Sequence, residues 1–173
     1  MLTAYANRKK KANKDYKAMT EQNLQNEFSR IITVSRIHSK GAEEKIEASP
    51  HEREALAKRF SLIGINSLTA KISLEPKEYF NKQIIAVDGR VNASVRQQCI
   101  RTLEEVTNVL DFTFSVIFVK DGEFTGDELS EIESSSLMAD EEVDIYYKGR
   151  IDIGELAAQQ LFVHLDQYPR KVG

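Results

Sequence analysis

The stretch that most constrains the fold runs from Ile85 to Glu105, IAVDGRVNASVRQQCIRTLEE. Ile85, Val87, Val91, Ala93, Val95 and Cys99 share one parity, while Asp88, Arg90, Asn92, Ser94, Arg96 and Gln98 share the other. Successive side chains of a strand point to opposite faces, so the alternation predicts a long strand with one face buried. Its buried parity ends at the only cysteine of the chain, and the polar run Arg101-Thr102-Leu103-Glu104-Glu105 marks where the chain turns back. Phe112, Phe114, Val116 and Phe118 resume the alternation, which predicts a long hairpin.

The flanking elements follow from the same rules. FSRIITVSRI, from Phe28, is rich in β-branched residues and predicts a first strand, with a second at about Glu44 to Ala48. Ser49, Pro50 and Glu52 form a helix start with a capping box; Leu56 and Phe60 give this helix its apolar face, and it should end near Ser61. Leu68, Ala70, Ile72 and Leu74 predict a third strand, interrupted at Pro76. Val143, Ile145, Tyr147, Gly149 and Ile151 predict a further one, with Tyr146, Lys148 and Arg150 on its other side. Asp152 caps a last helix, whose buried stripe is Ile153, Leu156, Ala157, Leu161, His164 and Leu165, widened by Phe162 and Val163.

Strands with short connections and few helical crossovers indicate an α+β fold. The expected core is a mainly antiparallel curved sheet of about six strands with a long hairpin, packed by two or more helices; a partial barrel is compatible with it. A chain of 173 residues, 41% of them hydrophobic, can bury one ordinary core, so residues 28–173 are read as a single domain. No apolar run approaches the roughly 18 to 20 residues of a membrane span, and the N-terminus lacks the apolar segment of a secretory signal. The expectation is a cytoplasmic protein with no membrane partner, and one cysteine is compatible with a reducing compartment.

The charges are unevenly spread. Ten acidic residues and no Lys or Arg lie between Asp121 and Asp144, and removing that segment leaves 24 basic against 17 acidic residues, a formal +7. Residues 1–27, with Arg8, Lys9, Lys10, Lys11, Lys14 and Lys17, read as a basic flexible arm, and residues 121–142 as an acidic loop. Met19-Thr20-Glu21 also looks like an ordinary start, so residues 1–18 are read as either native or appended.

Catalytic signatures are missing. His38, His51 and His164 share no metal-ligand spacing, there is no phosphate loop or nucleophile elbow, and the acidic run lacks the pattern of a calcium loop. Only Arg96 or Arg101 stands near enough in sequence to lower the pKa of Cys99, whose parity makes it a small core residue first. No catalytic residue, metal, cofactor or small-molecule substrate is assigned. What remains is recognition by charge: Arg90 and Arg96 lie on an outward strand face beside Asn92, Ser94 and Gln98, a pattern that equally describes a solvated sheet face. Tyr146 beside Lys148 and Arg150 suggests stacking, and Tyr168-Pro169-Arg170-Lys171 adds a basic tail.

VNASVRQQCIRTLEEV, the hairpin return, the acidic segment and the ending IDIGELAAQQLFVHLDQYPRKVG together resemble the YceD-like family of large ribosomal RNA subunit accumulation proteins, over roughly Phe28 to Gly173. Cys99, Arg101 and Leu103 occupy the first Cys, the Arg and the Leu of the family's Cys-x-Arg-Cys-Leu segment. Asp152, Gly154 and Glu155 fit its C-terminal helix start, and Pro169 its tail. Thr102 stands where many relatives have a second cysteine, and Arg170 and Lys171 near where some have another, so a zinc site suspected in other members cannot be assembled here. The resemblance implies a non-enzymatic ribosome-biogenesis factor that promotes accumulation of large-subunit (23S) ribosomal RNA by binding precursor RNA or assembling large subunits. Arg90, Arg96, Arg101, Lys148, Arg150, Arg170 and Lys171 would supply RNA contacts. The rival reading is an adaptor that docks a ribosomal protein or RNA-processing enzyme through the acidic loop; a metal-dependent nuclease built on that loop is a third.

Overall fold

The computed structural model describes residues 27–137 and 140–172. Its elements are β1 (Ile31–Thr33), a 3-10 turn (Val34–Arg36), β2 (Ala42–Glu47), α1 (Pro50–Arg59), β3 (Gly64–Tyr79), β4 (Lys82–Gln98), β5 (Glu105–Lys120), α2 (Gly126–Leu137), β6 (Glu142–Tyr146), β7 (Arg150–Asp152) and α3 (Ile153–His164). The architecture is α+β. Five strands form one sheet in the order β2-β3-β4-β5-β6, and β1 pairs with β7 in a separate two-stranded piece. All pairs are antiparallel except β5 with β6, which α2 connects as a crossover. Strands β2 and β6 are the two edges, so the sheet stays open.

The alternation in β4 produces the central strand. It pairs with β5 from Ile84↔Val119 to Gln98↔Glu105, the long hairpin expected, and with β3 from Tyr79↔Lys82 to Gly64↔Arg96. Strands of 16 or 17 residues extend about 50 Å at about 3.3 Å per residue. On one face Leu68, Ile72, Leu74, Val87, Val91, Val95, Val116 and Phe118 are buried, in one core with Leu56 of α1 and Leu156, Ala157 and Leu161 of α3. The opposite face is covered at one end only, where Ile132 of α2 packs on Ile84 and Val119. The rest of that face is open and polar.

Several expectations are corrected. The first strand is only three residues long and gives way to the 3-10 turn. The expected sheet of about six strands is five plus a separate pair. β3 runs through Pro76, because β2 ends opposite Leu74 and beyond it β3 is paired on one side only. The single strand expected from Val143 to Ile151 is two, broken by a two-residue turn with Lys148 at φ 54 and Gly149 at φ 68. The acidic segment is not a plain loop. Residues 126–137 are helical, and Thr125 and Glu128 form a reciprocal capping box, with Thr125 N donating to Glu128 Oε2 (2.8 Å) and Glu128 N to Thr125 Oγ1 (3.3 Å). Phe162 and Val163 do not widen the buried stripe of α3 but are 56% and 66% exposed, and His164 is exposed, stacked on Phe112. The expected basic arm lies outside the described residues except for Glu27.

The N-terminal end of the described chain meets the start of α3. One carboxylate oxygen of Asp152 accepts from the Gly154 and Glu155 backbone N–H groups (both 3.1 Å), capping the helix, and from Arg30 N (2.9 Å), while the other accepts from Ser29 Oγ (2.6 Å). Glu155, 8% exposed, accepts a bidentate pair from Arg59 at 2.9 and 2.8 Å, tying α3 to α1. Arg59 also holds Glu27 at 3.2 Å. Between them Gly154 leaves no room for a side chain, since a Cβ there would lie 2.7 Å from the Phe28 oxygen and 2.8 Å from Arg30 N. Gly154→Ala must push β1 off α3, and is expected to lower unfolding free energy by about 1–3 kcal/mol in urea melts; an unchanged midpoint would remove this junction from the account of the fold.

Candidate functional site

The open sheet face carries a row of three cations set by strand register. Lys45 of β2 lies opposite Lys71 of β3, which lies opposite Arg90 of β4. The next row is Glu43, Ser73, Asp88 and Ser115. Together they line a shallow depression of ≈ 780 Å³. Lys45 and Lys71 were not among the residues picked from sequence; the outward parity of Lys71, between Thr69 and Ser73, was the available signal. Arg90 reaches across to Asp111, with Nε to Oδ1 at 2.8 Å and Nη2 to Oδ2 at 2.7 Å. This forked pair raises the pKa of Arg90 and lowers that of Asp111, chiefly through the hydrogen bonds themselves. Arg96 folds over Gly64, where a Cβ would collide with its Nη2, and approaches Glu105 at 3.4 Å; its Nε is buried without a hydrogen-bond partner. Neither arginine is a free phosphate ligand.

The second location is the β4–β5 tip, against which the C-terminal tail folds. Ile100 N donates to Pro169 O (3.0 Å), Lys171 N to Cys99 Sγ (3.3 Å), and Gln97 Nε2 to Asp166 O (2.8 Å). Pro169 is buried, whereas Arg101, Leu103 and Arg170 are exposed. Lys171 Nζ pairs with Glu104 at 3.1 Å, which holds that carboxyl below its usual range. Arg101 and Arg170 have no ion-pair partner among the described residues.

Lys148 and Arg150 occupy the β6–β7 turn, close to Arg36 because Thr33 lies opposite Arg150 and Val34 N bonds Gly149 O at 2.9 Å. Both are exposed. Tyr146, 5% exposed, points into the core and cannot stack on a base beside them, which corrects the sequence expectation. The seven cations named from sequence therefore form no single site. Arg90, Arg96 and Lys171 are held by carboxylates; Arg101 and Arg170 lie at the tip; Lys148 and Arg150 lie before α3, whose 12 residues span about 18 Å. The basic excess is also elsewhere than the sheet: residues 1–26 hold six Lys and Arg against Asp15 and Glu21, which accounts for four of the seven excess charges.

Cys99 is 1% exposed, the packed sulfur that its parity predicts. Its thiol is nevertheless pulled from 9.0 down to about 6. The Thr102 hydroxyl is the main cause, followed by backbone N–H groups of Lys171, Thr102 and Arg101, all donating to sulfur. The sequence had offered only guanidinium charge as a cause. A zinc ion does not fit here: no group of three or more His, Cys, Asp or Glu among the described residues is placed to hold a metal.

A depressed thiol pKa favours the folded state above the unfolded pKa, and this contribution is lost as pH falls through about 6. Stability should therefore rise with pH between about 6 and 9 on account of Cys99. Ultraviolet absorbance of the thiolate should titrate at about 6 in the folded protein, with slow reaction toward bulky thiol reagents. Cys99→Ser should remove this pH dependence along with some packing; a midpoint near 9 would refute the hydrogen-bonded thiolate.

None of the helices in the described residues is long and apolar enough to cross a membrane. A model of the family described as "Large ribosomal RNA subunit accumulation protein YceD" matches residues 87–172. No curated protein and no solved structure matches the chain. The matched stretch starts within β4 and contains the hairpin tip, α2, the Asp152-Gly154-Glu155 junction and the tail docked on Cys99. Over these residues, 87–172, the chain is similar to the YceD family of large ribosomal RNA subunit accumulation proteins.

Proposed function

We propose that this protein is a non-enzymatic factor that acts in the cytoplasm to promote accumulation of large-subunit ribosomal RNA, by binding precursor RNA or the assembling large subunit. The family match carries this reading. The exposed cations that lack a carboxylate partner support it in kind, because such groups can lie against phosphate without first breaking an ion pair. Among the described residues they include Arg101 and Arg170 at the tip, Lys148 and Arg150 at the β6–β7 turn, and Lys45 and Lys71 on the open sheet. Phosphate contacts of this kind position a protein on RNA without reading sequence. A few scattered contacts give affinity that salt tunes steeply, which suits a factor that must leave the particle.

A second reading is favoured by α2. This helix is fixed on the sheet by Ile132 and turns Asp127 and Glu131 to solvent, a folded acidic surface on which a basic ribosomal protein or an RNA-processing enzyme could dock. Asp127→Asn with Glu131→Gln tests it without uncovering Ile84 and Val119, as deleting the segment would. Under the RNA-binding reading this variant binds RNA at least as well as the parent.

The direct test is sedimentation with precursor large subunits. Four phosphate contacts on single-stranded RNA give a salt slope of about −2.8, so affinity should fall roughly 50-fold between about 50 and 200 mM salt. Sequencing RNA crosslinked to the protein in cells should return large-subunit sequences. Sedimentation free of the particles at about 50 mM salt, with no such RNA recovered, would overturn the proposal.

A further inference from the structure

We propose that the β4–β5 tip and the C-terminal tail form a site for an unpaired segment of RNA, with Tyr168 stacking on a base and Arg101 and Arg170 holding the neighbouring phosphates. This rests on the ribosomal-RNA reading above and assigns it a place and a class of RNA structure.

The tail is anchored on both sides of Tyr168. Asp166 O accepts from Gln97 Nε2, Tyr168 N donates to Asp166 Oδ1 (2.9 Å), and Pro169 is buried with its oxygen bonded to Ile100 N. The Tyr168 ring itself is 67% exposed. An aromatic ring held out to water on a fixed backbone loses little freedom when a base stacks on it, and every base offers a face.

Charge complements this platform. Both glutamates of the tip are engaged, Glu104 by Lys171 at 3.1 Å and Glu105 by Arg96 at 3.4 Å, and Asp166 turns one oxygen to the Tyr168 N–H. Arg101 and Arg170 remain uncompensated, and the Ile100–Pro169 hydrogen bond sets the two chain segments that carry them side by side. A groove of ≈ 580 Å³, which reaches the neighbours of Tyr168 in the chain, is lined by Ile100, Phe162, Val163 and Pro169 together with the polar Gln167 and Asp166. Exposed rings and apolar surface beside guanidinium groups match bases splayed out of a helix. A duplex hides those bases and would use the two arginines alone.

The test uses the full chain and fluorescence anisotropy with two RNA probes of the same composition, a labelled unstructured octanucleotide and a blunt duplex. The octanucleotide should bind at least about 10-fold more tightly. Tyr168→Ala should weaken it by about 5- to 150-fold, with Tyr168→Phe near the parent. Arg101→Gln and Arg170→Gln should each flatten the salt slope by about 0.7. All three side chains substituted are on the surface, and circular dichroism verifies that each variant is folded. Equal affinity for duplex and single strand, or a folded Tyr168→Ala protein that binds like the parent, would overturn the site, as would a photocrosslinker at Val163 that captures only protein. If particles still co-sediment with Tyr168→Ala unchanged, this site fails and the ribosomal reading stands; if the parent never co-sediments, the ribosomal reading itself fails.

Discussion

The carboxylate of Asp152 is the point on which the rest of the structure depends. The apolar face of three long strands must be covered, and α3, whose Leu156, Ala157 and Leu161 join the core, begins at this residue. The same side chain caps the helix and receives the Ser29 hydroxyl and the Arg30 N–H, so the helix cannot be placed without also placing the first strand. Glu155 then adds α1 through Arg59. An ion pair with one partner as exposed as Arg59 contributes little net stability. Its effect here is to fix geometry. The close spacing of Asp152, Gly154 and Glu155 is accounted for by this junction.

The legibility of the fold follows from how much of each element's burial is one-sided. Strand β4 could be read residue by residue because its even face meets water along most of its length, and α1 because its capping box is contiguous in sequence. Pro76 misled because a proline's cost depends on whether a neighbour needs its N–H, and the end of β2 is not written near Pro76. The helix α2 was hidden by its own charge. Thr125 and Glu128 carried a capping-box spacing, and Leu129 and Ile132 an apolar face three residues apart, but ten carboxylates around them suggested a solvated loop. A short apolar face suffices once a sheet edge is there to receive it.

The candidate site was less legible, because availability of a charge is a property of pairs. Arg90 and Asp111 are 21 residues apart, and only the hairpin register brings them within reach. Arg96 is withdrawn by Gly64, whose missing side chain opens the space that the guanidinium fills. Parity predicts that both arginines face outward, and both do; it cannot say which carboxylate sits beside them. The row Lys45–Lys71–Arg90 was invisible for the same reason, since it exists only across three strands.

The tip is held together by hydrogen bonds that converge on one sulfur. Cys99 is sealed from solvent, and its sulfur gathers N–H groups from Lys171, Thr102 and Arg101. Those donors come from two segments: the turn between the long strands, and the tail that returns after α3. A sulfur carrying negative charge binds such donors more strongly than a neutral thiol, so the ionisation and the docking of the tail stabilise each other. The lone cysteine thus has a structural role in the tip. It is the acceptor around which Arg101 and Arg170 are held in place, which is why their positions relative to each other are defined even though both side chains reach into solvent.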